Sequence, residues 1–189
     1  MKRIIKKVAV LGSGIMGSRI ACHFANIGVE VLLLDMPPAE LSPAEKTAGK
    51  ALEDPAVRNR IVNEALQAAL KSSPAPLYSA RALSLIKTGN FEDQLKDIAS
   101  ADWILEAIVE NLEIKRGLFE RVEQFRRTGT LVSSNTSGIP LHLMAERRSG
   151  DFKAHFCGTH FFNPPRYLRL LEIIPTPHTR PEVVAFLMD

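Results

Sequence analysis

Lys7-Val8-Ala9-Val10-Leu11-Gly12-Ser13-Gly14-Ile15-Met16-Gly17 decides the reading of this chain. A short apolar run feeds directly into Gly-x-Gly-x-x-Gly. Apolar residues then recur at helical spacing through Ile20, Ala21, Phe24 and Ala25. A second apolar run, residues 29–34, ends on Asp35. Strand, glycine loop, helix and acid-terminated strand form a dinucleotide-binding pattern, and each part has a physical task. Gly12 permits the tight turn out of the strand, and Gly14 lets the backbone approach a pyrophosphate. Gly17 lets the helix pack closely. Ile15 and Met16 open the helix, whose first N–H groups and positive dipole end face the phosphates. Asp35 lies 18 residues past Gly17, where its carboxylate accepts hydrogen bonds from the ribose hydroxyls.

Met36 and Pro37 follow Asp35, so no Arg stands beside it to receive a 2′-phosphate, and the carboxylate repels one. The cofactor expected is NAD rather than NADP. The bulk numbers fit this. Of 189 residues, 46% are hydrophobic and 24% charged, as in a globular domain of ordinary core size. The net charge of +3 is spread along the chain and argues against a nucleic-acid partner. The basic start, Met1 to Lys7, runs into a strand already claimed by the nucleotide pattern, so no signal peptide is expected. No apolar run is long enough for a membrane span. Cys22 and Cys157 show no metal-ligand spacing, so no metal site is expected. Two thiols without a secretory signal point to a reducing, cytoplasmic location, and both read as small core residues.

Beyond Asp35 the chain makes a helical excursion. Ser42-Pro43-Ala44-Glu45 reads as a capping box opening one helix, and Asp54-Pro55 as the start of another over 56–71. Residues 83–88 then read as a strand and 91–99 as a short helix. A strand over 102–107 reads as buried on both faces, followed by an amphipathic helix over 111–125. Residues 130–134 read as a strand, 140–145 as a helical turn or two, and 154–162 and 168–174 as two further strands. Strands alternating with helices predict a Rossmann-type, doubly wound, mostly parallel α/β sheet. Thr179-Arg180-Pro181-Glu182 reads as a capping box opening a final helix that stops at Asp189 after about two turns. Such a short helix is marginal alone. The expectation is one domain over 1–189, cut from a longer protein or ending at a domain boundary.

Three later segments carry chemistry. Glu106-Ala107-Ile108-Val109-Glu110-Asn111-Leu112-Glu113-Ile114-Lys115 stands where a strand ends and a helix begins, the ligand-binding edge of open α/β sheets. By itself it also reads as an ordinary helix start favouring acids. Ser133-Ser134-Asn135-Thr136-Ser137-Gly138 ends another strand, with small polar groups for a ribose, a carboxamide or a substrate oxygen, or for a plain capped turn. His160-Phe161-Phe162-Asn163-Pro164-Pro165 precedes Glu172, a carboxylate within an apolar strand. Burying it alone is costly, so His160 is its expected partner across a tight Pro-Pro connection. A His oriented by a carboxylate is half of a general acid/base site.

On these residues the sequence resembles the NAD-binding domain of the L-3-hydroxyacyl-CoA dehydrogenases. Gly12-Ser13-Gly14-Ile15-Met16-Gly17, Glu106-Ala107-Ile108-Val109-Glu110-Asn111, Ser134-Asn135-Thr136-Ser137 and His160-Phe161-Phe162-Asn163-Pro164 occur in the family's order. Pro164-Pro165-Arg166-Tyr167 resembles the long bacterial members, in which this domain belongs to a fused dehydrogenase and enoyl-CoA hydratase. The resemblance implies NAD-dependent oxidation of the 3-hydroxyl of a fatty acyl-CoA, a step of β-oxidation. It implies His160 as base, Glu172 as its orienting partner and Ser137 as holder of the 3-oxygen. Ala107, Glu110, Lys115, Asn135 and Asn163 would line the cofactor site, and residues 37–82 would supply part of the acyl-CoA surface. A following helical domain would add a catalytic Asn and the contacts of a homodimer. Two rival readings stand beside this: a dehydrogenase of a small free β-hydroxy acid, and a non-catalytic NAD-binding module.

Overall fold

In the computed structural model, which describes residues 3–189, seven strands form one sheet in the order β3-β2-β1-β4-β5-β6-β7. The strands are β1 (Lys7–Leu11), β2 (Glu30–Asp35), β3 (Ile86–Asn90), β4 (Trp103–Glu106), β5 (Leu131–Ser134), β6 (Phe156–Phe161) and β7 (Leu171–Pro175). The first six run parallel, and only β7 pairs antiparallel, with β6. This is the expected Rossmann-type doubly wound sheet. The order reverses between β1 and β4, so the crevice at their carboxyl ends is the ligand position of such folds. Met1 and Lys2, the first residues of the basic start, lie outside the described residues.

The apolar strands divide their side chains between two cores, as period-2 alternation requires. Val8, Val10, Val31, Leu33 and Leu105 pack on one face with Ile20 and Phe24 of helix α1 (Ile15–Asn26). Ala9, Leu11, Leu32, Leu34 and Ile104 pack on the other with Leu118, Phe119 and Val122 of α5 (Leu112–Phe125). Phe119, Phe152 and Phe156 form a cluster on that side, with ring centroids 5.3–5.5 Å apart. Cys22 and Cys157 are buried core residues. Burial pushes their thiols up to about 11 and about 12, which removes the thiolate at neutral pH.

The excursion after β2 is helical, as expected, but more broken. The Ser42–Glu45 capping box forms and opens α2 (Pro43–Thr47). The single helix expected over 56–71 is split at Asn59 into α3 (Pro55–Arg58) and α4 (Arg60–Leu70). Arg58 is thereby free to clasp Asp93 through two hydrogen bonds of 2.6 and 2.7 Å. Residues 83–85 belong to a 3₁₀ turn, Ala80–Leu85, so the strand begins only at Ile86. The helix expected over 91–99 is a turn followed by 3₁₀ structure at Leu95–Ser100.

Two helices follow β5: α6 (Leu141–Met144) and α7 (Gly150–Ala154). Sequence reading missed the second, which Ser149 caps. The connection 162–170 is no tight Pro-Pro link. It turns at Pro164–Tyr167 and reaches back to the excursion, where the Arg166 guanidinium donates to the Ala75 and Leu77 carbonyls. Helix α8 (Pro181–Met188) forms, but Thr179 does not cap it. The Thr179 hydroxyl donates instead to the Phe156 carbonyl at 2.6 Å, and Arg180 takes the N-cap position without a side-chain bond. Among the described residues no helix is long and apolar enough to cross a membrane.

Candidate active site

The glycine loop joins β1 to α1 and is built from contacts that only glycine allows. Gly12 has φ +103°, and a Cβ there would lie 2.5 Å from the Ala107 carbonyl oxygen. A Cβ on Gly17 would lie 1.8 Å from the Gly12 carbonyl, so it is the turn itself that Gly17 closes upon. Gly14 is different: nothing lies within 4 Å of a Cβ built on it. It opens onto two cavities that share Gly14, Ala107, Ile108 and Val109 as lining. A dinucleotide has two halves joined by a pyrophosphate, and two cavities meeting at a bare backbone beside a helix N-terminus fit that group.

The first cavity, about 480 Å³, runs from Gly12 and Gly14 past Asp35, Met36, Phe91 and Ile108. Asp35 does more here than end a strand. Its Oδ2 accepts the Ser13 N–H at 2.6 Å and the Ser13 hydroxyl, and its Oδ1 accepts the Met36 N–H at 2.7 Å. It therefore clamps the glycine loop as well as facing the cavity. The sequence reading found no Arg beside Asp35. The fold corrects this, because Arg121 of α5 lines the same cavity. Its guanidinium is committed to the Phe91 carbonyl and the Glu92 carboxylate, at 2.7 and 3.1 Å.

The second cavity, about 520 Å³, gathers most of the residues singled out from sequence. Gly14, Ile15, Met16, Ala107, Glu110, Lys115, Asn135, Ser137, His160 and Asn163 all line it. Gly17 and Glu172 do not; one shapes the loop and the other stands behind His160. Register explains the last pair. His160 lies opposite Glu172 across the β6–β7 ladder, and His160 Nδ1 sits 2.8 Å from Glu172 Oε2. The expectation that Glu172 is buried fails, since its side chain is 49% exposed. Strand β7 is the sheet's edge, and Glu172, Ile174 and Pro175 along it are exposed. The pairing holds, but desolvation is not what enforces it.

Asn135 uses its Oδ1 to accept the Phe161 N–H at 2.8 Å, which leaves its amide nitrogen for a ligand. Asn163, joined to Pro164 by a cis bond, accepts from Arg19 of α1 through its Oδ1 at 3.0 Å.

Between β4 and β5 lies a charged cluster that sequence reasoning saw only in part. Lys115 is 1% exposed, with Nζ 2.6 Å from Glu106 Oε1 and 3.2 Å from Glu110 Oε2. Glu106 is fully buried and also accepts from Ser134 Oγ and from the Ile108 N–H. Burial pushes the Glu106 carboxyl up, against the pull of Lys115 and Ser134. The sequence pattern by itself does not single out Glu106. The argument applied to Glu172, an acid within a two-face-buried apolar strand, points with more force to Glu106.

The family model for the NAD-binding domain of 3-hydroxyacyl-CoA dehydrogenase matches residues 7–189. The chain belongs to this family. Relatives of the 3-hydroxyacyl-CoA dehydrogenase domain include a Bacillus subtilis protein described as a probable 3-hydroxyacyl-CoA dehydrogenase. It is 54% identical over 99% of this chain and 24% of its own length. The human mitochondrial hydroxyacyl-coenzyme A dehydrogenase is 34% identical over 100% of this chain and 56% of its own. Among solved structures, 3-hydroxybutyryl-CoA dehydrogenase from Escherichia coli superposes with a TM-score of 0.69 at 28% identity. That match covers 97% of this chain and 35% of the other. The chain thus spans about a quarter to a half of the length of these relatives.

Proposed function

We propose that this chain is the cofactor-binding part of an enzyme that oxidises the 3-hydroxyl of an L-3-hydroxyacyl-CoA to a ketone, in fatty acid β-oxidation. The observation that carries the reading is one cavity bordered by the glycine loop, Ser137 and a His160 held by a carboxylate. The nicotinamide of NAD supplies the hydride acceptor when bound. The chain's own residues do the rest. With Nδ1–H donating to Glu172, His160 keeps a free lone pair on Nε2. That nitrogen takes the hydroxyl proton as the 3-carbon is oxidised, and Glu172 stabilises the imidazolium that results. Ser137 holds the 3-oxygen by a hydrogen bond from its hydroxyl. Gly14, Ile15 and Met16 hold the pyrophosphate, Asp35 the adenosine ribose, and Ala107, Glu110, Lys115, Asn135 and Asn163 the nicotinamide half. We also assign an acyl-CoA contact to the excursion and a homodimeric assembly to the longer protein.

The test is a turnover assay of the complete protein with NAD on L-3-hydroxyacyl-CoA and, in parallel, on free 3-hydroxy acids. Turnover of the thioester alone supports the proposal. Preference for the free acid, or NAD binding without turnover of either, replaces it with one of the rival readings.

A further inference from the structure

Two asparagines line the second cavity, and the amide oxygen of each is already engaged. Asn135 Oδ1 accepts the Phe161 N–H at 2.8 Å. Asn163 Oδ1 accepts from the Arg19 guanidinium at 3.0 Å. The second bond fixes a direction. Arginine carries only donors, so the atom of the Asn163 amide that faces it must be the oxygen. The Asn163 nitrogen, with its two N–H donors, is left for the cavity. Arg19 is well placed for this task. It lies in the second turn of α1, two residues past Gly17, and is half-buried outside both apolar cores. Helix side chains lean toward the helix N-terminus, so Arg19 reaches back toward the end of α1 at which the cavity opens.

The backbone beyond Asn163 is held separately. The Pro164 carbonyl accepts the Tyr167 and Leu168 N–H groups at 2.9 and 3.1 Å, which closes a turn. Arg166 donates to the Ala75 and Leu77 carbonyls at 2.7 and 2.9 Å, and its guanidinium carbon stands 3.8 Å from the centre of the Tyr78 ring. The Tyr167 hydroxyl donates to the Ala75 carbonyl at 3.1 Å. These contacts tether the loop to the excursion without Arg19. What Arg19 adds is the orientation of one side chain.

We propose that Arg19 is a positioning residue for the cofactor: by holding Asn163 Oδ1, it presents the Asn163 amide nitrogen as a donor to the nicotinamide half of NAD. The chemistry suits that half, whose carboxamide and ribose offer oxygens to a donor. The proposal rests on the placing of Asn163 against the nicotinamide half, and not on the substrate assigned above.

Binding to the complete protein tests it, with NADH and ADP-ribose as the two probes. They share the adenosine and the pyrophosphate, and only NADH carries the nicotinamide. Calorimetry gives the dissociation constant of each. Arg19→Met keeps the length of the side chain and removes its donors and charge. It should raise the dissociation constant of NADH relative to that of ADP-ribose by about 3–10-fold, the scale of one hydrogen bond. Losing a charge near the pyrophosphate weakens both ligands alike and cancels in the ratio. Asn163→Ala should shift the ratio at least as far. Adding Arg19→Met to Asn163→Ala should then leave the ratio within about 1.5-fold, because a residue that acts through another has no effect once that other is gone. Equal losses for the two ligands in Arg19→Met would overturn the proposal and make Arg19 a phosphate contact. A further shift of the ratio in the double variant would overturn it as well. An unchanged ratio in Asn163→Ala would remove Asn163 from the nicotinamide half, and the proposal with it. None of these outcomes depends on turnover, so a protein that binds NADH yet leaves hydroxyacyl-CoA unoxidised would fail the functional reading alone.

Discussion

His160 and Glu172 meet because two strands place them in register, not because burial leaves the acid no alternative. Their partnership is a claim about chemistry, and mutation tests it. In the complete protein, His160→Ala should lower turnover by at least ~100-fold, the usual scale for a lost general base, with NAD affinity little changed. Glu172→Gln should also slow turnover, since the amide keeps the size and loses the charge. Acting as a unit, the pair should give a double mutant little worse than His160→Ala alone; additive losses would reassign Glu172 to holding β6 and β7 together. The glycine loop yields a sharper contrast between neighbours. Gly14→Val should fold normally and lose NAD binding, because its side chain has open room only where the pyrophosphate approaches. Gly17→Ala should fail to fold or melt far below wild type, because its Cβ meets the Gly12 carbonyl at 1.8 Å. Thermal melts and cofactor titrations of both variants separate the two roles.

The excursion between β2 and β3 is pinned at the scale of elements. Arg58 at the end of α3 clasps Asp93 in the turn after β3, and Asn90 adds a bond to the same carboxylate. Arg58 and Asn90 hold the Asp93 carboxyl down at about 2. A depressed folded-state value means that the stabilisation is fully present above the unfolded carboxylate range of ~3.9. It is lost as pH falls through about 2. Asp93→Asn should therefore melt below wild type at neutral pH, with the gap narrowing between about pH 4 and pH 2. A gap that stays constant over that range would mean that the clasp contributes shape rather than charge. The pair is exposed, so the neutral-pH difference should also shrink in high salt.

For the whole molecule the consequence of the sheet order is that two cavities meet in one crevice, at Gly14, Ala107, Ile108 and Val109. Ligand binding to the folded state alone should therefore stabilise the entire domain. NAD at about 100-fold over its dissociation constant should add ~2.7 kcal/mol and raise the melting temperature accordingly. NADH should bind better than NADPH. Asp35 repels the extra phosphate, and the Arg121 that shares its cavity is already engaged by Glu92 and the Phe91 carbonyl. Asp35→Asn should narrow the difference between the two cofactors. Equal affinities in the wild type would remove Asp35 from the ribose site.

Local pattern alone determined the first βαβ unit, the alternation that makes a parallel sheet, and the loop whose glycines are required by backbone geometry. Those features depend on residues adjacent in the chain, where periodicity and turn chemistry act directly. The capping box at Ser42 belongs with them. The Thr179 cap does not, because a strand carbonyl 23 residues away competes for its hydroxyl. Tertiary structure alone decided the contacts made across the sheet: Arg121 beside Asp35, Glu106 beneath Lys115, and the Arg19 guanidinium beside Asn163. It also decided that Glu172 lies on an open edge. Sequence spacing carries no information on which strand ends become neighbours after a crossover. The balance of charge and burial at a site is set by those neighbours.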